Sequence, residues 1–310
     1  MKYEFKHTSE TKAFFDSTVL GKDPITEIAL EGEPGCGKTL ATRWLAEEMQ
    51  VPYLRFVCTK ETSFFDFTTE KIIKKGDIVE QDSAFLKMVQ EPSVINVDEC
   101  YLAQPDVMAG LNSLLDYDRA ITLPSGRTIK RHARNFIIFT SNPKTYAGVK
   151  RQHGGFIDRL PTLEVGYLTP AKEVELVLKS YPACEKEQVA RIVKFASLIR
   201  QGRRAGRMNT VCSTRGLLTM AQLMTNGATL ELAVSSTLKV PDEEKKTINE
   251  LMLKSLEATL IKNDTTGEDE LVLNDSLKKE VEELKTKLAT KEEAEKAWKL
   301  KTETLLEALK

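Results

Sequence analysis

Gly32-Glu33-Pro34-Gly35-Cys36-Gly37-Lys38-Thr39 decides the fold, because it satisfies G-x-x-x-x-G-K-[ST] in the context that pattern requires. Upstream, Ile28-Ala29-Leu30 reads as a short buried strand. Downstream, Leu40, Trp44, Leu45 and Met49 recur at near-helical spacing. The glycines permit a tight turn that points successive N–H groups inward, at a helix N-terminus that already favours negative charge. Lys38 would then reach the β- and γ-phosphates of a nucleoside triphosphate, and the Thr39 hydroxyl would ligate Mg2+. A chance glycine turn explains the loop alone. It does not explain strand, loop, Lys-Thr and amphipathic helix together. The residues expected to hold the nucleotide are Gly32, Glu33, Pro34, Gly35, Cys36, Gly37, Lys38, Thr39 and Leu40.

Val94-Ile95-Asn96-Val97-Asp98-Glu99 is the second informative stretch, an apolar strand closing on two carboxylates. An Asp-Glu pair in isolation reads as a solvated strand end. Beside a phosphate loop, at the carboxyl edge of a parallel sheet, it reads as a site in which Asp98 holds the metal through water. Glu99 is then placed to take a proton from the attacking water. Phe136 to Thr140 is a further buried strand, closing on Ser141-Asn142-Pro143. Asn142 is either a turn-forming residue before proline or a polar contact to the γ-phosphate and water.

Composition narrows the class. The 310 residues suit two domains, and the net charge of −1 gives the whole molecule no field for a polyanion, so any nucleic-acid surface must be local. Five scattered cysteines without a C-x-x-C pattern imply reduced thiols of a cytosolic protein rather than a disulfide framework or zinc site. The N-terminus lacks the apolar core of a signal peptide, and no run reaches membrane-spanning length.

Between these landmarks the chain carries two hairpin signals. Gly76-Asp77 lies between apolar-alternating flanks, and Pro124-Ser125-Gly126 separates Asp118–Leu123 from a basic arm with Arg127, Lys130, Arg131 and Arg134. That arm is either a solvated face or a working surface for a protein partner or a nucleic-acid backbone. Residues 1 to about 24 read as a polar segment packing beside the base. Leu111, Leu114 and Leu115 mark one helix. From Pro170 the pattern turns helical, with a stripe of Val189, Ile192, Val193, Ala196 and Ile199, a basic loop at Gly202–Arg207, and Ser213-Thr214-Arg215 capping a later helix. Leu277, Val281, Leu284 and Leu288 begin a long charged helix near the C-terminus.

Taken in order, Gly32 to Thr39, Asp98-Glu99, Asn142, Asp158-Arg159 and Ser213-Thr214-Arg215 resemble the Walker A loop, Walker B strand, sensor 1, arginine finger and sensor 2 of an AAA+ ATPase. Asn142-Pro143 followed by Tyr146-Ala147-Gly148, and Ser213 to Leu218, are similar to the CbbQ, NorQ and gas-vesicle GvpN branch of the MoxR group within the helix-2-insert clade. Leu160 follows Arg159 where that family usually reads Arg-Phe. The resemblance implies an α/β core with a five-stranded parallel sheet of order 5-1-4-3-2, an α-helical lid and the C-terminal helix. The implied domains are a core over 1–168, with an insert hairpin at about 60–82 and a pre-sensor-1 hairpin at about 117–134, a lid over 169–262 and a charged helix over 263–310. It implies ATP and Mg2+ as ligands and a homo-oligomeric ring, a hexamer. The catalytic set would be Glu99, Asn142, Arg159 acting across the subunit interface, and Arg215 acting in its own site or the next. The client would be a protein or complex, with a von Willebrand A domain partner. The alternatives are a nucleic-acid-stimulated motor or loader and a gas-vesicle assembly ATPase.

Overall fold

The computed structural model describes residues 8–74, 77–123, 125–143, 146 and 148–257. The long helix expected over 263–310 and the central glycine of the Gly76-Asp77 turn lie outside them, as do Pro124 and Ala147. The described residues form two units, one of 8–169 with 213–215, the other of 170–212 with 216–257.

In the first unit five strands build a parallel sheet: β1 (Glu27–Gly32), β2 (Tyr53–Val57), β5 (Ser93–Asp98), β8 (Asn135–Ser141) and β9 (Thr162–Val165). Two antiparallel hairpins interrupt it, β3 (Thr69–Lys74) with β4 (Asp77–Asp82) and β6 (Ala120–Thr122) with β7 (Thr128–Lys130). The sheet order is β2-β5-β8-β1-β9. The hairpins add strands to the count, so the label sequence differs from the expected one. Counting only the five sheet strands in chain order, it reads 5-1-4-3-2 from the β9 edge.

Central strands β5 and β8 are buried along their whole length, which is why they read as continuous apolar runs. Period-two alternation sends their side chains to two cores. Val94, Phe136, Ile138, Ile28 and Leu30 face one layer with Phe15, Ala41 and Leu45; Ile95, Val97, Ile137 and Phe139 face the other with Phe67, Phe85 and Leu114. The first layer is closed by α1 (Ser9–Ser17) and α2 (Lys38–Glu48). The N-terminal segment, read as polar with scattered aromatics, contains a helix: Thr8 caps it, its hydroxyl accepting from the Thr11 N–H at 3.0 Å, and Phe15 is wholly buried against Trp44. The second layer is closed by short helices α3 (Phe64–Thr68), α4 (Ala84–Val89), α5 (Pro105–Ala109) and α6 (Asn112–Leu115). Where one helix was expected around Leu111, the chain breaks into α5 and α6 at Gly110, where a Cβ would meet the Phe64 ring at 2.7 Å. A short α7 (Gly154–Ile157) precedes β9.

The expectation of a basic surface along the outgoing arm of β6–β7 fails at Arg131. Its side chain is fully buried and donates to Glu27 Oε2 at 2.9 Å, Thr26 O at 2.7 Å, Leu114 O at 3.1 Å and Asn135 Oδ1 at 2.9 Å. Burial lowers its pKa to about 10, against the opposing pull of Glu27. Lys130 and Arg134 are exposed, and Arg127 pairs with Asp82 at the end of β4.

The second unit is helical: α8 (Pro170–Ser180), α9 (Lys186–Arg204), α10 (Thr214–Thr225) from Gly216 onward, α11 (Leu230–Thr237) and α12 (Lys245–Glu257), with α9 packed against α8 and α12. The start of the expected basic loop is helical, since α9 runs through Gly202 to Arg204. A Cβ on Gly202 would meet Met208 Sδ at 2.7 Å, so the glycine admits that close packing at a helix cost of about 1 kcal/mol. Arg200 forks onto both oxygens of buried Glu173 at 2.8 and 3.0 Å and donates to Cys212 O at 2.7 Å. Glu244 accepts from the N–H of Thr210 at 2.9 Å and from its hydroxyl at 2.5 Å, pinning the loop after α9.

Candidate functional site

The carboxyl ends of β1, β5 and β8 are neighbours in the sheet, and each delivers one part of the candidate site. After β1 the chain turns through Gly35 at φ +73° and Gly37 at φ +105°, a left-handed backbone that glycine adopts without strain. Gly32 needs the absence of a side chain for another reason: a Cβ there would lie 2.2 Å from the carbonyl oxygen of Val165 on β9. A Cβ on Gly35 would meet Ser213 Cβ at 2.7 Å and Arg215 Cβ at 3.5 Å, so Ser213 and Arg215 lie against the phosphate loop within the first unit. The loop leads directly into α2, whose first-turn amides on Lys38, Thr39 and Leu40 have no carbonyl to bond inside the helix.

Lys38 is buried, and its ammonium group donates to Gly32 O at 2.6 Å, Glu33 O at 3.1 Å and Asn142 Oδ1 at 3.2 Å. All three are neutral oxygens, and the nearby Glu99 carboxylate acts on the ammonium without bonding it directly, so the buried cation suits an anionic ligand. The same Asn142 donates through Nδ2 to both oxygens of Glu99, at 3.0 Å each. Asn142 therefore bridges the phosphate-loop cation and the candidate base. Burial, and then the neighbouring Asp98 charge, raise the Glu99 pKa above its ordinary value, while Lys38 and the Asn142 hydrogen bond pull it down. Glu99 also has a left-handed backbone, φ +53°, rare for a residue with a side chain and of order 1–3 kcal/mol in strain.

Asp98 ends β5 almost fully buried. Its Oδ1 accepts from Thr140 Oγ1 at 2.5 Å and from the Glu99 N–H at 3.1 Å. Its Oδ2 lies 3.4 Å from Thr39 Oγ1, so the two expected metal ligands meet at one point. The left-handed loop, the buried ammonium and this hydroxyl–carboxylate pair fit a triphosphate with its divalent cation.

Three further contributors had no role assigned from sequence, Tyr146 having been named only within the run after Asn142. Thr140 fixes the Asp98 carboxylate. Arg55, on edge strand β2, donates to Asp98 Oδ2 from Nε at 2.8 Å and Nη2 at 2.6 Å. Tyr146 donates its hydroxyl to Glu33. Arg159 stands apart from the cluster: its Nε donates to Asp116 Oδ1 at 2.5 Å, and its Nη1 donates to Gly155 O.

The cysteines are free thiols. Burial pushes Cys58 and Cys212 up to about 12, and raises Cys36 in the phosphate loop as well. No helix among the described residues is long and apolar enough to cross a membrane.

A family model described as AAA domain (dynein-related subfamily) matches residues 27–160, and one described as CbbQ/NirQ/NorQ C-terminal matches residues 173–259. An uncharacterized protein of Staphylococcus aureus is 26% identical over 246 residues, covering 77% of this chain and 90% of its own. One of Staphylococcus epidermidis is 27% identical over 228 residues, covering 71% and 86%. Among solved structures, a RuvB mutant from Thermotoga maritima aligns with a TM-score of 0.51 at 16% identity, covering 85% of this chain and 73% of that one. NtrX from Brucella abortus aligns at 0.54 and 15%, covering 83% and 63%. At such identities the likeness is one of fold.

Proposed function

Because the chain belongs to the AAA+ ATPases, in the CbbQ/NorQ branch of the MoxR type, and hydrolyses ATP, we propose that it remodels or activates a client protein or complex as a homo-oligomeric ring. The observation that supports the site is the hydrogen-bonded run from Lys38 through Asn142 to Glu99 across the ends of β1, β8 and β5. Lys38 holds the β- and γ-phosphates. Asn142 orients the Glu99 carboxylate, which accepts a proton from the attacking water. A divalent cation at Thr39 and Asp98 would neutralise charge developing on the phosphate oxygens. Arg159 acts on the nucleotide of the neighbouring subunit, an arrangement worth ~10³–10⁵ in rate among nucleotide hydrolases. Arg215, beside Gly35, reports the γ-phosphate to the helical unit.

We assign the chain a core over 1–168 and a lid over 169–262, and the partner carries a von Willebrand A domain. In Glu99→Gln the nucleotide binds, the ring persists and phosphate release stops. Undiminished turnover in Glu99→Gln rejects the assignment of the base. The trapped ring, used as bait, should retain the client. The second reading, a nucleic-acid-stimulated motor, rests on exposed Arg127, Lys130 and Arg134 around β7. The buried Arg131 weakens it. Stimulation of phosphate release by single- or double-stranded nucleic acid decides between them.

A further inference from the structure

Asp98 has two oxygens with different neighbours, and that difference carries an inference. Oδ1 is held from within the sheet by the Thr140 hydroxyl and the Glu99 amide. Oδ2 is the oxygen that faces Thr39, 3.4 Å from its hydroxyl. It is also the oxygen on which the Arg55 guanidinium converges, through Nη2 at 2.6 Å and Nε at 2.8 Å. A full positive charge thus already lies on the metal-side oxygen of the carboxylate.

We propose that Arg55 is an exchangeable counter-cation for Asp98, holding the oxygen that a divalent cation must take when the nucleotide arrives. The inference rests on Asp98 as the metal-holding carboxylate. The two ends of the pair are unequal in a way that suits exchange. The Asp98 side chain is 5% exposed and fixed by two further hydrogen bonds, whereas the Arg55 side chain is 51% exposed on an edge strand. Withdrawing Arg55 into water costs it little, because a guanidinium at the surface is readily rehydrated. Leaving Asp98 without any cation costs more, since a buried carboxylate needs a paired charge. Arg55 therefore keeps the nucleotide-free site neutral and in shape, and it competes with the cation. Geometry makes the reach plain: in the β2–β5 register Val57 stands opposite Asp98, and Arg55 lies two residues earlier on the same face.

The test is calorimetry of the full chain with the non-hydrolysable analogue AMP-PNP, once with excess Mn2+ and once with EDTA. The readout is the ratio of the two affinities, in which any general effect on nucleotide binding cancels. Arg55→Gln should raise that ratio about fivefold, the scale of one partly exposed ion pair. Arg55→Lys, which keeps the charge but loses the fork, should fall between. If Arg55→Gln does not fold, Arg55→Lys alone carries the measurement. A ratio unchanged or lowered in both variants overturns the proposal. Asp98→Asn separates the two levels: it should collapse the ratio towards one. If Asp98→Asn keeps the parent ratio, the carboxylate does not hold the cation and the reading beneath the proposal fails with it.

Discussion

At the scale of single residues, the site is a set of charges tuned by burial. Lys38→Ala removes the buried ammonium and should weaken nucleotide binding about a hundredfold, from charge-assisted hydrogen bonds of ~1.5–3 kcal/mol each; calorimetry reads it. Glu99 must be ionised to accept a proton, and its pKa is raised by burial and by Asp98. The acidic limb of the hydrolysis rate should therefore lie above the ordinary glutamate range, with activity rising as pH rises through it. Asn142→Ala deletes a hydrogen bond that favours the charged form, so the limb should move to still higher pH. A limb that stays put, or moves down, contradicts the assignment. These residues were legible because each signal is local. A glycine loop before Lys-Thr, and a carboxylate pair or an asparagine at the end of an apolar run, need only a few neighbours to be read. Arg55, Thr140 and Asp116 were not legible, because each matters only through a partner about 43 residues away, 42 in the case of Thr140. An arginine in a short edge strand carries no mark of where it reaches.

At the scale of elements, two devices fix β1, the strand that leads into the phosphate loop. The first is the close approach of β1 and β9, where Gly32 leaves 2.2 Å between a hypothetical Cβ and Val165 O. Gly32→Ala should push the strands apart and lower stability by about 1–3 kcal/mol, the usual cost of overpacking, measured by urea unfolding. The second is Arg131, which ties the base of the β6–β7 hairpin to Thr26 and Glu27 at the start of β1. Arg131→Met removes the cation from the Glu27 carboxylate and a donor from four further oxygens, and a loss of about 3 kcal/mol is expected in the same assay. A loss under 1 kcal/mol would mean that water replaces the guanidinium. The sequence run of cations misled for a reason of period: beyond β7 the chain turns back to the sheet, so Arg131 enters the body while Lys130 stays outside. Helix α1 was hidden similarly, since Phe15 is the one apolar side chain it buries, beside the polar Thr11.

At the scale of the whole molecule, the order of the five sheet strands came with the family resemblance that the ordered motifs carry, and the helical second unit was readable from the change of period at Pro170. Arg159 is bonded to Asp116 and Gly155 rather than to the phosphate-loop cluster, and its proposed action across a subunit junction is tested by mixing rings. Arg159→Ala rings and Glu99→Gln rings should each be inactive, and mixtures of the two should recover phosphate release, because a mixed junction can hold one intact base and one intact arginine. Mixtures that stay inactive rule out action across the junction. The pair of Asp82 with Arg127 bears on motion at this scale, since it straps the β3–β4 hairpin to the β6–β7 hairpin at the surface. Such a strap is electrostatic and wet, so dissolved ions loosen it, with a screening length of about 10 Å at 0.1 M. Ionic strength should then work as a weak clutch, tying the two projections together in dilute buffer and freeing each in concentrated salt, within the about 0–1 kcal/mol of an exposed pair. Spin labels at Val79 and Ser125 should show one narrow separation in the first condition and a broad one in the second.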